Sequence, residues 1–160
     1  MTNGEVKGYN PLRLGNLETH LKRYDRFTLL ALDAAEQAIT QAGLDAISEE
    51  EGEGIGVVGG GGVGGLKTIT EHQHLLEKDG PKALGVFTVP RLMVNVAPNM
   101  ISMKYGFTGP SFDVSTACAA GTDAIGHAWR LIRSGEVKAV IAGGWEAPIT
   151  PLALEAFSNM

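Results

Sequence analysis

The feature that most constrains this chain lies between residues 111 and 142, where an apolar run, a patch of small residues, an amphipathic segment and a second apolar run follow one another. Ser111–Ser115 reads as a strand, and the residues from Ala117 to Gly121 carry almost no side-chain bulk. The segment up to about Ser134 has helical periodicity and is closed by Gly135, and Val137–Ala142 reads as a second strand. Strands joined through a helix do not form a hairpin; they run parallel in one sheet, linked by a right-handed crossover. The second half of the chain therefore belongs to an α/β sheet.

The first half carries compatible signals. Asp25 is placed to cap a helix over Arg26–Ala42, where Phe27, Leu30, Ala31, Ala34, Ala38 and Ile39 share a face and Gly43 follows as a stop. The acidic run Glu49–Glu53 reads as a solvated loop before a buried strand at Ile55–Val58. Glycines from Gly59 to Gly65, interrupted only by Val63, lead into a helix over Leu66–Lys78 that Gly80-Pro81 ends. Residues 90–105 are rich in apolar side chains but contain Pro98, which predicts two short helical pieces broken there. Residues 1–23 show no period and read as an irregular lead-in.

Composition narrows the function classes. The 160 residues, 44% of them hydrophobic and 19% charged, suffice for one core. Thirteen basic against eighteen acidic residues give a net charge of -5, the wrong sign for gathering phosphates, which argues against nucleic-acid binding. No apolar run approaches the roughly 18–20 residues that cross a bilayer, and residues 1–5 lack the basic flank and apolar core of a signal peptide. The expectation is a soluble, cytoplasmic protein. A single cysteine, Cys118, excludes an internal disulfide and any multi-cysteine zinc site.

Cys118 falls where a strand turns abruptly into a helix. A thiol there meets unsatisfied backbone N–H groups and the positive end of the helix dipole, both of which favour the thiolate. The same N–H groups can receive the oxyanion formed when a thiolate attacks an acyl carbonyl. The bland alternative is a small core hydrophobe. Gly60, Gly62 and Gly65 match G-x-G-x-x-G after a strand, but so dense a cluster matches almost any glycine pattern, and close backbone packing is the preferred reading over a phosphate cradle. His72 and His74 point to different helix faces, so a metal chelate is not expected, and His20 has no context. His127 lies nine residues beyond Cys118, over ~13 Å along a helix and too far to serve as its base. Glu146, after Gly143-Gly144-Trp145 at a strand end, reads as a base or, by preference, as an anchor for backbone amides of a neighbouring turn.

Taken as a set, these residues resemble the β-ketoacyl-acyl-carrier-protein synthases of the thiolase superfamily, in particular the elongating, FabF-like condensing enzymes. The likeness runs through Asp25-Arg26-Phe27, Gly61-Gly62-Val63-Gly64-Gly65-Leu66, Val89-Pro90 with Asn95, Tyr105-Gly106, Gly109-Pro110-Ser111, Thr116-Ala117-Cys118 with Gly121, and Ala142-Gly143-Gly144 with Glu146 and Pro151. The resemblance implies a thiolase-like α/β fold with a mixed, mainly parallel sheet between helices. It implies that Cys118 is the acyl-accepting nucleophile, with a backbone N–H in the oxyanion hole. Ile69 and Phe157 would line the acyl pocket, and Phe87, Thr88 and Val89 would reach the partner subunit's pocket of a homodimer. Ser111–Ser115 would pair across the two-fold axis. The partners implied are an acyl-carrier protein and a malonyl-carrier protein, with no metal and no redox cofactor.

The resemblance also implies a partial domain over residues 1–160, lacking the family's first strand and its C-terminal half, with the histidines and lysine that handle the malonyl group. Loss of that strand predicts a gap at the centre of the sheet, and loss of the second half predicts an exposed apolar face and poor folding in isolation. Two readings follow: the nucleophile-bearing part of a condensing enzyme, or a non-catalytic dimerisation or acyl-binding module of the same fold.

Overall fold

The computed structural model describes residues 4–10 and 22–160. Residues 4–10 have no regular structure, but Lys22 and Arg23, at the end of the expected irregular lead-in, are helical; residues 1–3 and 11–21, His20 included, lie outside the described residues.

Helix α1 spans Arg26–Gln41 and is capped by Asp25, whose side chain accepts from the Phe27 amide at 3.4 Å. Its buried residues are Phe27, Thr28, Leu29, Ala31, Leu32, Ala35 and Ile39. The buried face is thus rotated from the expected one: Ala34 and Ala38 are exposed, and with Leu30 they border a cavity of about 290 Å3 against the last strand. The helix is apolar around more than half its circumference, so periodicity alone leaves the buried arc open, and packing selects it.

The acidic run is not a loop. It forms a one-turn helix, α2, over Glu49–Gly52. The Ser48 hydroxyl accepts from the Glu51 amide at 3.3 Å and the Glu51 carboxylate accepts from the Ser48 amide at 2.9 Å. This reciprocal capping offsets the poor helix propensity of a four-residue segment, and the hydrogen bonds from Ser48 hold the Glu51 carboxyl below the usual glutamate range.

Strand β1, Ile55–Gly60, is buried along its whole length. Helix α3 follows over Leu66–Asp79, then a 3-10 turn at Pro81–Ala83, α4 over Thr88–Leu92 and α5 over Val96–Tyr105. The two helical pieces occur as expected, but Pro98 does not break them; the interruption is at residues 93–95. Pro98 is the third residue of α5, in the first turn, where a backbone N–H has no intrahelical partner to lose.

Strand β2 covers Ser111–Val114, a 3-10 turn covers Ala117–Ala119, and α6 runs over Ala120–Arg133. Strand β3 is Ala139–Gly144, and α7 is Pro151–Ser158, capped by the Thr150 hydroxyl accepting from the Ala153 amide at 3.2 Å.

The three strands pair in the order β2-β1-β3, all parallel. β2 and β3 do not pair with each other, because β1 lies between them. Its small and apolar sequence, Ile-Gly-Val-Val-Gly-Gly, suits the one position covered on both faces. The expected central gap is absent: among the described residues the sheet is continuous, since β1 supplies both inner hydrogen-bonding edges. The register aligns the three C-terminal ends, with Gly60 opposite Val114 on one side and Gly144 on the other.

Helices α1 and α5 cover one face, where Phe27, Ala31, Ile39, Ile55, Val57, Ala97, Ile101 and Trp145 belong to one apolar cluster. Helix α6 covers the other face, burying Ala120, Ala124 and Ala128. Its outer stripe is apolar yet open: Ile125 and Trp129 are each 59% exposed and Ile132 45%. No helix among the described residues is long and apolar enough to cross a membrane.

Candidate active site

The C-terminal ends of the strands of an open parallel sheet are where its ligands bind, and this end of the sheet is built almost wholly of glycine. A Cβ on Gly60 would collide with the backbone of Ala120 and Gly121, and one on Gly144 would come within 3.0 Å of the Gly121 Cα. Three glycines from β1, α6 and β3 thus meet backbone to backbone, which seats the N-terminus of α6 directly on the strand tips.

The turn from β2 into α6 presents Cys118. Ala117 has φ 51°, a left-handed conformation that costs a residue with a Cβ about 1 kcal/mol. This strained residue reverses the chain so that Cys118, exposed to solvent, sits in the 3-10 turn just ahead of α6. Ala119 caps α6 without a side-chain hydrogen bond. The Thr116 hydroxyl donates to Asp123 at 2.5 Å, tying the start of the turn to the first turn of the helix.

Cys118 opens on a cavity of about 640 Å3 whose walls include Gly62, Val63, Ala117, Trp145, Glu146 and Phe157. A volume of this size accommodates a drug-sized ligand. Among the described residues that line it there is no histidine, lysine or arginine.

One wall is the glycine loop that follows β1. The Gly62 and Val63 amides both donate to Oε2 of Glu146, at 2.7 and 2.8 Å. The Gly61 amide donates to Oδ1 of Asp113 at 3.0 Å, and Trp145 Nε1 donates to Oδ2 of the same residue, also at 3.0 Å. Glu146 therefore has the anchoring role preferred from the sequence. The G-x-G-x-x-G pattern is not a free phosphate cradle, because carboxylates occupy its amides. Burial pushes the Asp113 carboxyl above the usual aspartate range against the lowering effect of its two hydrogen bonds, and the charge of Glu146 adds to the rise.

Of the residues singled out in the sequence, Phe157 lines the cavity with Cys118. Ile69 lies on α3, 43% exposed, and is not among the lining residues. Phe87, Thr88 and Val89 form the start of α4 on the protein surface: Arg23 stacks over Phe87 at 5.3 Å, Thr88 donates to the Gly85 carbonyl at 2.8 Å and bonds His72 Nδ1 at 2.9 Å, and Val89 is 65% exposed. His127 packs edge-on against Phe112, with ring centroids 5.9 Å apart. No group of three metal-ligating side chains occurs among the described residues. The role of Asp113 was not foreseen; the available signal was an acid inside an otherwise apolar strand.

This glycine-tipped sheet with a cysteine on a strained turn matches the family model for the beta-ketoacyl synthase N-terminal domain over residues 5–160. The chain belongs to that family. It is 40% identical over 156 residues to a 3-oxoacyl-[acyl-carrier-protein] synthase 2 of Synechocystis sp., a match covering 98% of this chain and 37% of the relative. A Staphylococcus aureus protein of the same name is 40% identical over 161 residues, covering 97% of this chain and 38% of its own length. The chain thus spans little more than a third of the curated relatives it matches.

Among solved structures, a type II polyketide ketosynthase in complex with its acyl-carrier protein superimposes with a TM-score of 0.85 at 22% identity, covering 97% of this chain and 44% of that one. A beta-ketoacyl synthase of Burkholderia phymatum gives 0.81 at 23% identity, covering 96% and 37%. The fold is therefore the thiolase-like α/β fold of the ketosynthases.

Proposed function

We propose that this chain is the nucleophile-bearing part of a 3-oxoacyl-acyl-carrier-protein synthase, acting in fatty acid or polyketide chain elongation. In this reading the Cys118 thiolate attacks the carbonyl of an acyl thioester. The tetrahedral oxyanion is held by N–H groups at the start of α6, and collapse expels the carrier thiolate, leaving an acyl-cysteine thioester. A malonyl-carrier protein then loses CO2, and its carbanion attacks the acyl-cysteine carbonyl. The Cys118 thiolate leaves, and the product is a 3-oxoacyl chain two carbons longer on the carrier.

The observation that carries the reading is an exposed cysteine on a strained strand-to-helix turn, facing a cavity large enough for an acyl chain. Phe157 supports an acyl-pocket role by lining that cavity. The reading extends to Ile69 as a further pocket residue, to Phe87, Thr88 and Val89 as the segment facing a partner subunit in a homodimer, and to a cytoplasmic location. Decarboxylation needs groups that stabilise the malonyl carbanion, and the reading assigns these to a part of the enzyme other than the cavity wall described above.

The test is intact mass spectrometry after incubation with a long-chain acyl thioester. One acyl adduct, absent from Cys118→Ala, is expected. A folded sample that forms no adduct overturns the reading in favour of a non-catalytic module of the same fold.

A further inference from the structure

We propose that Asp113 and Glu146 are positioning residues for acyl transfer to Cys118, together holding three successive amides of the glycine loop and so fixing the cavity wall beside the cysteine. This rests on the acylation reading above and deepens it.

The geometry is specific. The two carboxylates come from β2 and from just beyond β3, the strands that flank β1, and they meet on the loop that β1 feeds. Asp113 accepts Gly61, and Glu146 accepts Gly62 and Val63. Gly62 and Val63 are also cavity-lining residues, and a Cβ on Gly62 would lie 3.9 Å from Ala117, the residue before Cys118. The loop wall and the nucleophile turn are therefore neighbours, and a shift of one is a shift of the space between them.

Among the described residues no Lys or Arg is paired with either carboxylate; their hydrogen-bond partners are loop amides and one indole. Oε1 of Glu146 has no hydrogen-bond partner among the described residues. Asp113 and Glu146 are each partly buried, so desolvation of their carboxylates offsets part of what the amide bonds contribute to stability. What the carboxylates supply is position: as acceptors for three successive amides they tie the loop to the ends of β2 and β3. Attack on a thioester needs the carbonyl carbon about 3–3.5 Å from the sulfur, and an error of about 1 Å there costs on the order of 100-fold in rate.

The two sites differ in a way that makes the proposal testable with near-isosteric variants. Asp113 receives one N–H on each oxygen, so Asp113→Asn must turn its amide donor against either Gly61 or Trp145 Nε1. Glu146 receives both amides on one oxygen, so Glu146→Gln keeps an acceptor for both and turns its NH2 to the side without a partner.

The experiment compares the full wild-type chain with Glu146→Ala, Glu146→Gln and Asp113→Asn, all in a Trp129→Phe background so that fluorescence reports Trp145. Three quantities are read: the rate of Cys118 acylation by an acyl thioester, the rate of Cys118 alkylation by iodoacetamide, and deuterium exchange of the peptide containing residues 61–63. Expected are faster loop exchange and an acylation rate lower by about 10-fold or more in Glu146→Ala and Asp113→Asn. Alkylation is expected to stay within about 2-fold, Glu146→Gln to recover most of the loss, and Trp145 emission to shift in Asp113→Asn only. Unchanged acylation in Glu146→Ala and Asp113→Asn overturns the proposal, whether or not the loop exchanges faster. So does a parallel fall in alkylation, which would mark general damage to the cysteine turn. A wild-type protein that is alkylated but not acylated overturns the acylation reading itself, a result distinct from either.

Discussion

Trp145 Nε1 donates to Asp113 Oδ2 at 3.0 Å, a bond that spans β1 to join the ends of the two outer strands. The indole lies over Gly59, where any Cβ would overlap the ring, and the Trp145 amide itself donates to the Gly60 carbonyl at 3.0 Å. The tip of the sheet is thus closed by one aromatic side chain and one half-buried acid, directly beneath the loop that walls the Cys118 cavity.

Because burial raises the Asp113 carboxyl above the ordinary aspartate range, the folded protein holds a proton here at pH values where the unfolded chain has released it. The sign follows: stability from this group is greatest on the acid side and is lost as pH rises from the ordinary aspartate value through the folded one. Glu51, held low by Ser48, runs the other way, losing its contribution as pH falls through its folded value. A carboxyl-carbon NMR titration is expected to give Asp113 a midpoint above that of a free aspartate and Glu51 one below that of a free glutamate. The reverse order at either residue would contradict the electrostatic account.

Asp25 joins α1 to α3. Its Oδ2 accepts both the amide and the hydroxyl of Thr68, at 2.9 and 2.6 Å, and both residues are fully buried. Asp25→Ala removes an N-cap worth about 1 kcal/mol and orphans two buried donors, for a total loss of about 3 kcal/mol. Thr68→Val removes only the hydroxyl bond and is expected to cost about 1 kcal/mol. Urea denaturation midpoints at constant slope measure both, and equal losses in the two variants would refute the shared-acceptor account.

The backbone contact between β1 and α6 leaves no room at Gly60. Gly60→Ala sets a methyl group against the Ala120 carbonyl and is expected to cost about 2–3 kcal/mol, because backbone and not a flexible side chain must move. Gly126→Ala, within α6 with nothing nearby, is expected to stabilise by about 0.5–1 kcal/mol. Thermal melts of the two variants should move in opposite directions; a Gly60→Ala protein that melts like wild type would show that the tip of the sheet is loosely packed.

Much of this architecture was legible in the chain because it is encoded locally. Asp25 before a periodic run specifies a cap, Gly135 after another specifies a stop, and five small residues between a strand and a helix specify a tight turn around Cys118. The same local reasoning failed at Glu49–Gly52, where Ser48 and Glu51 cap each other and override the charge repulsion of an acidic run. It failed again at Pro98, whose effect depends on whether it falls in the first turn of a helix or its middle.

By itself the sequence determined the α/β class, the elements on either side of Cys118 and, through the resemblance, the family. Only the tertiary structure decided that β1 separates β2 from β3, and that Phe157 lines the cavity onto which Cys118 opens. It also brought Asp113 and Glu146 onto one loop from 52 and 83–84 residues away. Periodicity and capping act over a few residues and can be read from neighbours, whereas strand order and carboxylate partners are fixed by which surfaces the whole chain buries together, information that no local segment contains.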